Sequence, residues 1–513
     1  MFFISKKGGI FMNYETVNQA LDAMHHLEET AAAYEHVMGV TYLDAASAAP
    51  KGSYEGRGKT IGVMSQIIYD LIANPENEEL LSYLEENISE LSAIDRRKVE
   101  ALRKEYDQIN KIPAEEYAAY EVLLNEAQAV WEQAKNNNDF ASFAPYLEKI
   151  VAFNRKKAAY FHPEMQPYDA LLNEYEEGLT MQTLDAFFAQ LREVIVPLVA
   201  KIGQAAPVDD SFLKQNYPID KQRLFSDYLM EVMGLDRNYC AIAESEHPFT
   251  INFNNKDVRI TTHYHEDMVA SSMYSVIHEG GHALYELGCG DEYNYSFLSG
   301  GVSMGIHESQ SRFYENIIGR SLSFVKLIYP KLQELFPEQL GSVTAEQFYR
   351  AVNKAEPSLI RTEADDLTYT LHVMVRYEIE KQLIDGTLCV ENVPAEWNRL
   401  YKEYLGVDVP NDTLGCLQDS HWSGGTIGYF PSYALGSAYG PQLLAVMEQE
   451  VGSVDKLIEE GNLSIVTRWL KEKIHRHASF HKPGYLFEMV CGKFDAAYYT
   501  DYLVKKYTDL YNL

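Results

Sequence analysis

The chain contains the segment His278-Glu279-Gly280-Gly281-His282, in which two histidines stand four residues apart. On a helix this spacing places both imidazoles on one face, where they can bind the same zinc-sized ion. Glu279 lies one step round the helix, within reach of a proton on a water bound to that ion. Residue types and spacing therefore predict a metal site for hydrolysis, with two histidine ligands and Glu279 as the base. A helix with two solvated or core histidines is the alternative interpretation.

A helix from about 266 to 287 is predicted to carry this segment, because its apolar residues recur at helical spacing and Gly288 follows. Gly280 and Gly281 are poor choices inside a helix, where each costs about 1 kcal/mol relative to alanine. This cost indicates that a substrate or another backbone approaches the helix closely at the glycine pair.

A third ligand is predicted at Glu308, 26 positions after His282 (308 minus 282). That distance is too long for the same helix. It suits a following helix from Ile306 to Ile318, after the Ser299-Gly300-Gly301 loop. Two imidazoles and one carboxylate leave the fourth position of a zinc ion open for water, which is the mark of a catalytic site.

Amide hydrolysis also needs a hydrogen-bond donor near the developing oxyanion. The segment from His421 to Tyr433 is the best candidate, because its glycines allow close backbone approach and three of its side chains have polar tips. These three are His421, Tyr429 and Tyr433. Since the chain has 37 tyrosines, core packing is the competing interpretation of each tyrosine.

Most of the chain has the apolar spacing of amphipathic helices, so the fold is predicted to be mainly α. The clearest patterns lie near 14–38, 61–72, 79–109, 114–135, 140–160 and 181–202. One region alternates instead: Pro248–Phe253 and Val258–Thr262 flank a turn-like segment, which predicts a β-hairpin before the motif helix. An exposed edge of this hairpin suits pairing with an extended peptide, and a sheet that only covers the core is equally compatible with the pattern.

The composition limits the partners and the compartment. A formal net charge of −31, from 44 Lys+Arg against 75 Asp+Glu, disfavours binding to nucleic acid. No apolar run reaches the ~18 residues needed to span a membrane. The five cysteines are odd in number and scattered, which predicts reduced thiols and a cytoplasmic location. The opening MFFISKKGGIF lacks the features of a signal peptide, so residues 1–11 are predicted to be a poorly packed extension, with Met12 as an alternative start.

Five motifs, in order along the chain, resemble those of the thermostable Taq-type metallocarboxypeptidases. They are His247-Pro248-Phe249, Asp257-Val258-Arg259-Ile260-Thr261, the segment at 278–282, His307-Glu308-Ser309-Gln310 and Ile360-Arg361-Thr362-Glu363-Ala364-Asp365. The resemblance runs from about Tyr34 to the C-terminal segment Tyr499–Tyr511, which is nearly the whole chain. The chain departs from the family pattern at Leu43–Pro50, so the wall that this segment forms is expected to accept different side chains.

The resemblance implies a large, two-lobed helical cleft fold like that of neurolysin, with a small sheet beside the active site. It implies one catalytic domain over residues 1–513, with the core of the site at about 245–435, and a homodimer. The implied activity is the removal of single amino acids, with broad specificity, from peptides with a free C-terminus. By this resemblance His278, His282 and Glu308 are the metal ligands and Glu279 is the catalytic base. The implied ion is Zn²⁺, with Co²⁺ as a substitute.

The group that binds the substrate carboxylate is left open between two arginines. Arg361 is the first choice, because a guanidinium binds a carboxylate in bidentate fashion and this residue lies in a family motif. An i,i+4 ion pair with Asp365 is its alternative role. Arg259 is the competitor, although a structural role in the hairpin is its alternative. His247 either lines the cleft or anchors a strand.

Two other functions are compatible with the same residues. An oligopeptidase that cuts internal bonds or releases dipeptides would use the same metal site, so the motif does not separate it from a carboxypeptidase. A non-catalytic helical scaffold with a structural metal is disfavoured, because a structural site has no use for a base such as Glu279.

Overall fold

The computed structural model describes residues 14–513, so the predicted extension at 1–11 and the alternative start at Met12 lie outside the described residues. The described chain is mainly helical and contains one small three-stranded sheet, which confirms the predicted fold class. None of the described helices is long and apolar enough to cross a membrane.

Helices follow one another along the described chain. From the N-terminal side they are α1 (Val17–Ser47), α2 (Tyr54–Ala73), α3 (Pro75–Glu86), α4 (Ala93–Asn110), α5 (Ala114–Asn137), α6 (Phe140–Phe161), α7 (Pro167–Tyr175), α8 (Met181–Ile202), α9 (Ile219–Met233) and α10 (Val269–Gly288). They continue with α11 (Met304–Arg312), α12 (Leu322–Leu335), α13 (Pro337–Leu340), α14 (Ala345–Val352), α15 (Tyr369–Asp385), α16 (Val393–Leu405), α17 (Phe430–Val451), α18 (Val454–Glu459), α19 (Leu463–Lys473), α20 (Pro483–Cys491) and α21 (Ala497–Tyr511). Helix α11 leads directly into a π-helical turn at Phe313–Gly319.

Five of the six predicted helical patterns correspond to single helices, and the pattern at 79–109 does not. It is divided between α3 and α4. The Asn87 side chain donates to the Tyr83 carbonyl (2.8 Å), and Ser92 Oγ accepts from the Asp95 amide (3.1 Å). These polar side chains satisfy backbone groups at the two helix ends and so stabilise a break that apolar spacing alone does not reveal.

The sheet precedes α10 in the chain and packs on it. Its strands are β1 (Cys240–Glu244), β2 (Thr250–Asn254) and β3 (Asp257–Thr262), in the order β1-β3-β2. β2 and β3 form the predicted antiparallel hairpin. β1 pairs in parallel with β3, and the sequence does not predict it, because Cys-Ala-Ile-Ala-Glu has few of the β-branched residues typical of strands.

The two faces of the hairpin contact different helices, because side chains alternate along a strand. Thr250 faces α10, where its Oγ1 lies 2.6 Å from a carboxylate oxygen of Glu279. Phe253 faces α1, where a Cβ added at Gly39 would lie 2.8 Å from the Phe253 ring. Arg259 of β3 lies on the α1 side as well, since its guanidinium stacks over that ring (4.7 Å).

Two hydrophobic clusters form the core of the described residues. A small cluster lies among α1–α4, and a large one joins later helices and the sheet. The buried Glu28 carboxylate also links these regions: Lys98 donates to one oxygen (2.9 Å), and the backbone amide of Phe297 donates to the other (3.1 Å). This shared carboxylate fixes α1 and α4 against the loop that precedes α11.

Helix α11 packs against α10 and α17 at positions occupied by glycine. A Cβ added at Gly281 of α10 would lie 2.7 Å from the Gln310 carbonyl oxygen and from the Ser311 Cα. A Cβ added at Gly436 of α17 would lie 2.6 Å from the Cβ of Glu308. The close approach that the glycine pair predicts is therefore a backbone contact between α10 and α11 at Gly281, whereas Gly280 faces the Met233 side chain.

The substitutions Gly280→Ala and Gly281→Ala are expected to differ in their effect on stability. At Gly280 the added methyl group meets the flexible end of Met233 (2.6 Å), and alanine gains about 1 kcal/mol of helix propensity. At Gly281 the methyl group meets fixed backbone, and overpacking of this kind costs about 1–3 kcal/mol. Thermal unfolding should therefore give a clearly lower Tm for Gly281→Ala only. Equal Tm values for the two variants would contradict the backbone contact.

Candidate metal centre

Two helices bring three potential metal ligands to one point. His278 and His282 lie one turn apart on α10, Glu308 lies on α11, and their ligand atoms are all within 4.8 Å of one another. Glu308 Oε2 is 3.7 Å from His278 Nε2 and 3.6 Å from His282 Nε2. Two imidazoles and one carboxylate are the ligand types found at catalytic zinc sites, where a fourth position stays open. The donor set present in the structure therefore fits the metal that the sequence predicts.

The first imidazole is oriented by a carboxylate in the π-helical turn that follows α11. Glu315 Oε2 lies 2.9 Å from His278 Nδ1. The guanidinium groups of Arg312 and Arg320 donate to the same carboxylate, each at 3.2 Å. Although burial disfavours the charged form, these interactions hold the pKa of the Glu315 carboxyl well below its usual range. An ionised Glu315 accepts a hydrogen bond from the N–H at His278 Nδ1. Nε2 of the same ring is then unprotonated and free to bind a metal.

The second imidazole is oriented through another histidine. His282 Nδ1 lies 2.6 Å from His307 Nδ1, and His307 Nε2 lies 2.6 Å from Glu286 Oε1. An imidazole that binds a metal through an unprotonated Nε2 carries its proton on Nδ1, so in that state His282 would donate to His307. His307 is then protonated at Nε2 and donates to Glu286. The Glu286 carboxylate also accepts from the Gly301 amide (3.0 Å) and from Asn252 (2.7 Å), so the chain of hydrogen bonds ends on fixed backbone.

The third potential ligand, Glu308, is held by a guanidinium on its own helix. Arg312 Nε lies 2.7 Å from Glu308 Oε1, which leaves Oε2 toward the two imidazoles. Burial disfavours the charged carboxylate, but Arg312 and the two histidines hold the pKa of Glu308 well below its usual range. Arg312 also stacks over the Tyr369 ring (4.4 Å), which fixes the position of its guanidinium. Glu308 is therefore an ionised side chain with one oxygen directed at the site.

Glu279, the predicted base, contacts the sheet. Its Oε2 accepts a hydrogen bond from Thr250 Oγ1 of β2 (2.6 Å). Burial is the main cause that raises the pKa of the Glu279 carboxyl. β2 is an edge strand of the sheet, so this carboxylate lies beside a strand with which an extended peptide can pair.

The segment before α17 and the first turn of α17 bring the three predicted donors together. His421 Nε2 lies 3.4 Å from Tyr433 Oη, and the Tyr429 and Tyr433 rings pack edge to face with centroids 4.9 Å apart. Burial, helped by the charge of Arg361, lowers the pKa of His421 to about 4. Burial raises the pKa of Tyr429 to about 12, and the negative charge of Glu308 contributes. His421 and Tyr429 are therefore neutral groups that can donate hydrogen bonds near neutral pH.

Arg361 lies beside these donors and is nearly buried, with 6% of its surface exposed. Its guanidinium packs over the Tyr433 ring (5.1 Å). It donates to Asp419 (2.8 and 3.1 Å) and to Tyr369 (3.1 Å). The alternative prediction for Arg361, an ion pair with Asp365, is wrong. The Asp365 carboxylate instead accepts hydrogen bonds from the backbone amides that lead into α15.

Arg259 and His247 lie apart from this group. Arg259 donates twice to Asp257 (2.8 Å each) on the α1 side of the sheet. His247 is exposed between β1 and β2, and its carbonyl accepts from Ser245 Oγ (2.7 Å). Among the described residues, no hydrogen bond or ion pair joins either side chain to the three potential ligands.

Sequence reasoning misses the residues that orient the potential ligands and the predicted base. They are Thr250, Glu286, Arg312, Glu315 and Arg320, while His307 is recognised only as part of a motif. A helical signal exists for three of them. Arg312 and Glu315 stand four and seven positions after Glu308, so helical spacing places them on its face of the chain. Glu286 stands four positions after His282 and shares its helix face in the same way.

The chain is similar to known proteins over nearly its whole length. A family model described as carboxypeptidase Taq (M32) metallopeptidase matches residues 23–507. Carboxypeptidase 1 of Bacillus subtilis is 40% identical over 482 residues, which are 94% of this chain and 96% of that protein. Thermostable carboxypeptidase 1 of Thermus thermophilus is 35% identical over 475 residues, which are 90% of this chain and 93% of that protein.

A solved structure shares the fold. The M32 carboxypeptidase from Deinococcus radiodurans R1 superposes with a TM-score of 0.94 at 33% identity, over 96% of this chain and 100% of that chain. The family model, the relatives and the fold thus agree with one another and with the His-His-Glu donor set. The chain therefore belongs to the carboxypeptidase Taq (M32) family of metallopeptidases.

Proposed function

We propose that this protein removes single amino acids from the C-terminus of peptides by metal-dependent hydrolysis, with broad side-chain specificity. The observation that carries the proposal is the position of Glu279, a buried carboxylate beside a His-His-Glu ligand set but outside it. A structural metal site has no need of such a group, which argues against a non-catalytic scaffold. Membership of a carboxypeptidase family supports cleavage at the C-terminus.

Zn²⁺ is the ion that we propose for His278, His282 and Glu308, with Co²⁺ as a substitute. Each imidazole has a hydrogen-bond partner on Nδ1, and Glu308 has one oxygen directed at the site, so the three donors are oriented in advance. When bound, the ion supplies a Lewis acid that polarises the scissile carbonyl and acidifies the attacking water.

The chain's own groups divide the proton transfers and the stabilisation of charge. Glu279 takes a proton from the attacking water and passes it to the leaving amine. His421 and Tyr429 donate hydrogen bonds to the oxyanion that forms at the carbonyl, and Tyr433 orients His421. The peptide backbone pairs with the edge strand β2, beyond which His247 lines the cleft.

Arg361 is the group that we propose for the substrate carboxylate. It lies beside Tyr433, and it uses three of the five N–H bonds that a guanidinium offers, so two remain for a ligand. Arg259 lies on the α1 side of the hairpin, whereas Glu279 lies on the α10 side. The geometry of the sheet therefore favours Arg361 over Arg259.

We also propose one catalytic domain over residues 1–513, a homodimer and a cytoplasmic location. A single domain is supported by Glu28, which joins the N-terminal helices to the loop before α11. The cytoplasmic location is supported by the five cysteines, which are all free thiols in the structure. The homodimer is supported by the family resemblance.

Mass spectrometry of one short peptide, prepared as the free acid and as the C-terminal amide, tests the proposed direction of cleavage. After incubation with zinc- or cobalt-loaded protein, the free acid should lose one residue at a time, because only this form offers a carboxylate to the anchoring arginine. The amide should stay intact. Internal cleavage of both forms, or release of dipeptides, would identify an oligopeptidase instead.

The variant Glu279→Gln is expected to lose hydrolysis while it keeps its fold and its metal. An amide still accepts the hydrogen bond from Thr250, but it cannot take a proton, so kcat should fall by about 10²–10⁴-fold. Zinc content by mass spectrometry and Tm should stay at the parental values. Thr250→Val removes only the hydrogen bond and should retain much more activity. A Glu279→Gln variant with parental kcat would exclude this residue as the base.

Arg361→Lys and Arg259→Lys separate the two candidate anchors, because both variants keep the positive charge. Lysine cannot reproduce a bidentate guanidinium contact, so Arg361→Lys should raise KM for free-acid peptides roughly tenfold or more. Arg259→Lys changes a partly exposed ion pair and should leave KM within about twofold of the parent. The opposite ranking of the two KM values would assign the carboxylate to Arg259.

A further inference from the structure

A buried carboxylate outside the metal centre contacts the segment that carries the proposed oxyanion donors. Glu380 lies on α15 and has no exposed surface. Three donors converge on it, each at 2.8 Å. Tyr168 Oη and the Gly428 amide donate to Oε2, and Trp422 Nε1 donates to Oε1.

Two of these donors lie at the ends of residues 421–429, which we call the donor segment. Trp422 follows His421, and Gly428 precedes Tyr429. The Glu380 carboxylate therefore binds the donor segment next to each of the two proposed oxyanion donors, and so fixes both of its ends to α15.

Helix α7 packs on the same segment. The ring of Tyr175, the last residue of α7, has its centroid 5.2 Å from that of Tyr429. Gly428 has a φ of +96°, and a Cβ added there would lie 2.9 Å from the Leu171 backbone. Glycine suits both this backbone conformation and this contact. The donor segment is thus held between α7 and the Glu380 carboxylate.

A carboxylate is the side chain that satisfies all three donors. Ionised glutamate accepts on both oxygens, whereas glutamine offers one oxygen and one NH₂ group. Burial raises the pKa of Glu380 to about 7, and the three donors act in the opposite direction by favouring the charged form. Glutamine at position 380 would turn its NH₂ group toward one of the donors and leave a buried N–H or O–H without an acceptor.

We propose that Glu380 is a positioning residue that sets where His421 and Tyr429 stand relative to the His-His-Glu ligand set. The inference deepens the proposed function and rests on the roles given there to these two side chains. Glu380 does not touch the substrate and acts through the donor segment. A displacement of about 1 Å in such a group costs on the order of 10²-fold in rate.

A comparison of Glu380→Gln with Glu378→Gln tests this role. Glu378 lies on the same helix and pairs with Lys381 (3.2 Å), so it offers a matched change from carboxylate to amide away from the donor segment. We expect Glu380→Gln to lower kcat by on the order of 10²-fold, with little change in KM and with parental zinc content. Glu378→Gln should keep the parental kcat and KM.

A second substitution provides a rescue that a purely structural role does not predict. Trp422→Phe removes the indole N–H, so in the double variant with Glu380→Gln the amide NH₂ group no longer faces that donor. We expect the double variant to regain part of the kcat that Glu380→Gln loses. Losses that add in the double variant would contradict a specific contact between Glu380 and the donor segment.

Amide hydrogen exchange tests the placement of the segment independently of activity. Glu380→Gln should speed exchange over 421–429 and leave exchange over 278–282 unchanged. Parental exchange with parental kcat would overturn the inference, and so would faster exchange throughout with loss of metal, since Glu380 would then stabilise the whole fold. A parent protein without peptidase activity would overturn the proposed function, while exchange over 421–429 would still decide whether Glu380 holds this segment.

Discussion

The two imidazoles of α10 and the carboxylate of α11 come within reach of one ion because the two helices lie in backbone contact. Helix α11 reaches this distance because Gly281 of α10 and Gly436 of α17 present no side chain to it. Each glycine lowers helix propensity by about 1 kcal/mol relative to alanine. The ligand set requires that loss, because an alanine Cβ would fall within 2.7 Å of atoms in Gln310 or Glu308.

Close helix packing also buries charged groups, and each of them then needs a partner. Arg312 lies between Glu308 (2.7 Å) and Glu315 (3.2 Å), so one guanidinium holds a potential ligand and the carboxylate that orients His278. Removing one member of such a buried network leaves an uncompensated charge and costs about 3–5 kcal/mol. The geometry of the metal centre and the stability of its helices therefore depend on the same contacts.

The mainly helical fold, the hairpin and the convergence of the His-His-Glu set could be predicted from spacing along the chain. The two histidines stand four residues apart on one helix, and the glutamate follows 26 positions later on the next. Features that depend on distant pairing could not. Arg361 and Asp419 are 58 positions apart, and no local pattern favours that ion pair over one with Asp365. The π-helical turn that brings Glu315 to His278 likewise depends on how α11 packs, since its apolar spacing is that of an ordinary helix.

Helix α7, which carries no chemical motif, joins the two halves of the proposed site. One half is helix α11 with Glu308, and the other is the donor segment. At the start of α7, Tyr168 donates to Glu380, which holds the donor segment. Directly after α7, the buried Glu176 accepts from Ser303 Oγ and from the Gly305 amide (3.0 Å each) at the start of α11. Because nine residues of helix form a short, stiff connection, a shift of α7 moves α11 and the donor segment together. The distance between the potential ligands and the proposed oxyanion donors thus depends on a helix to which we assign no chemical role.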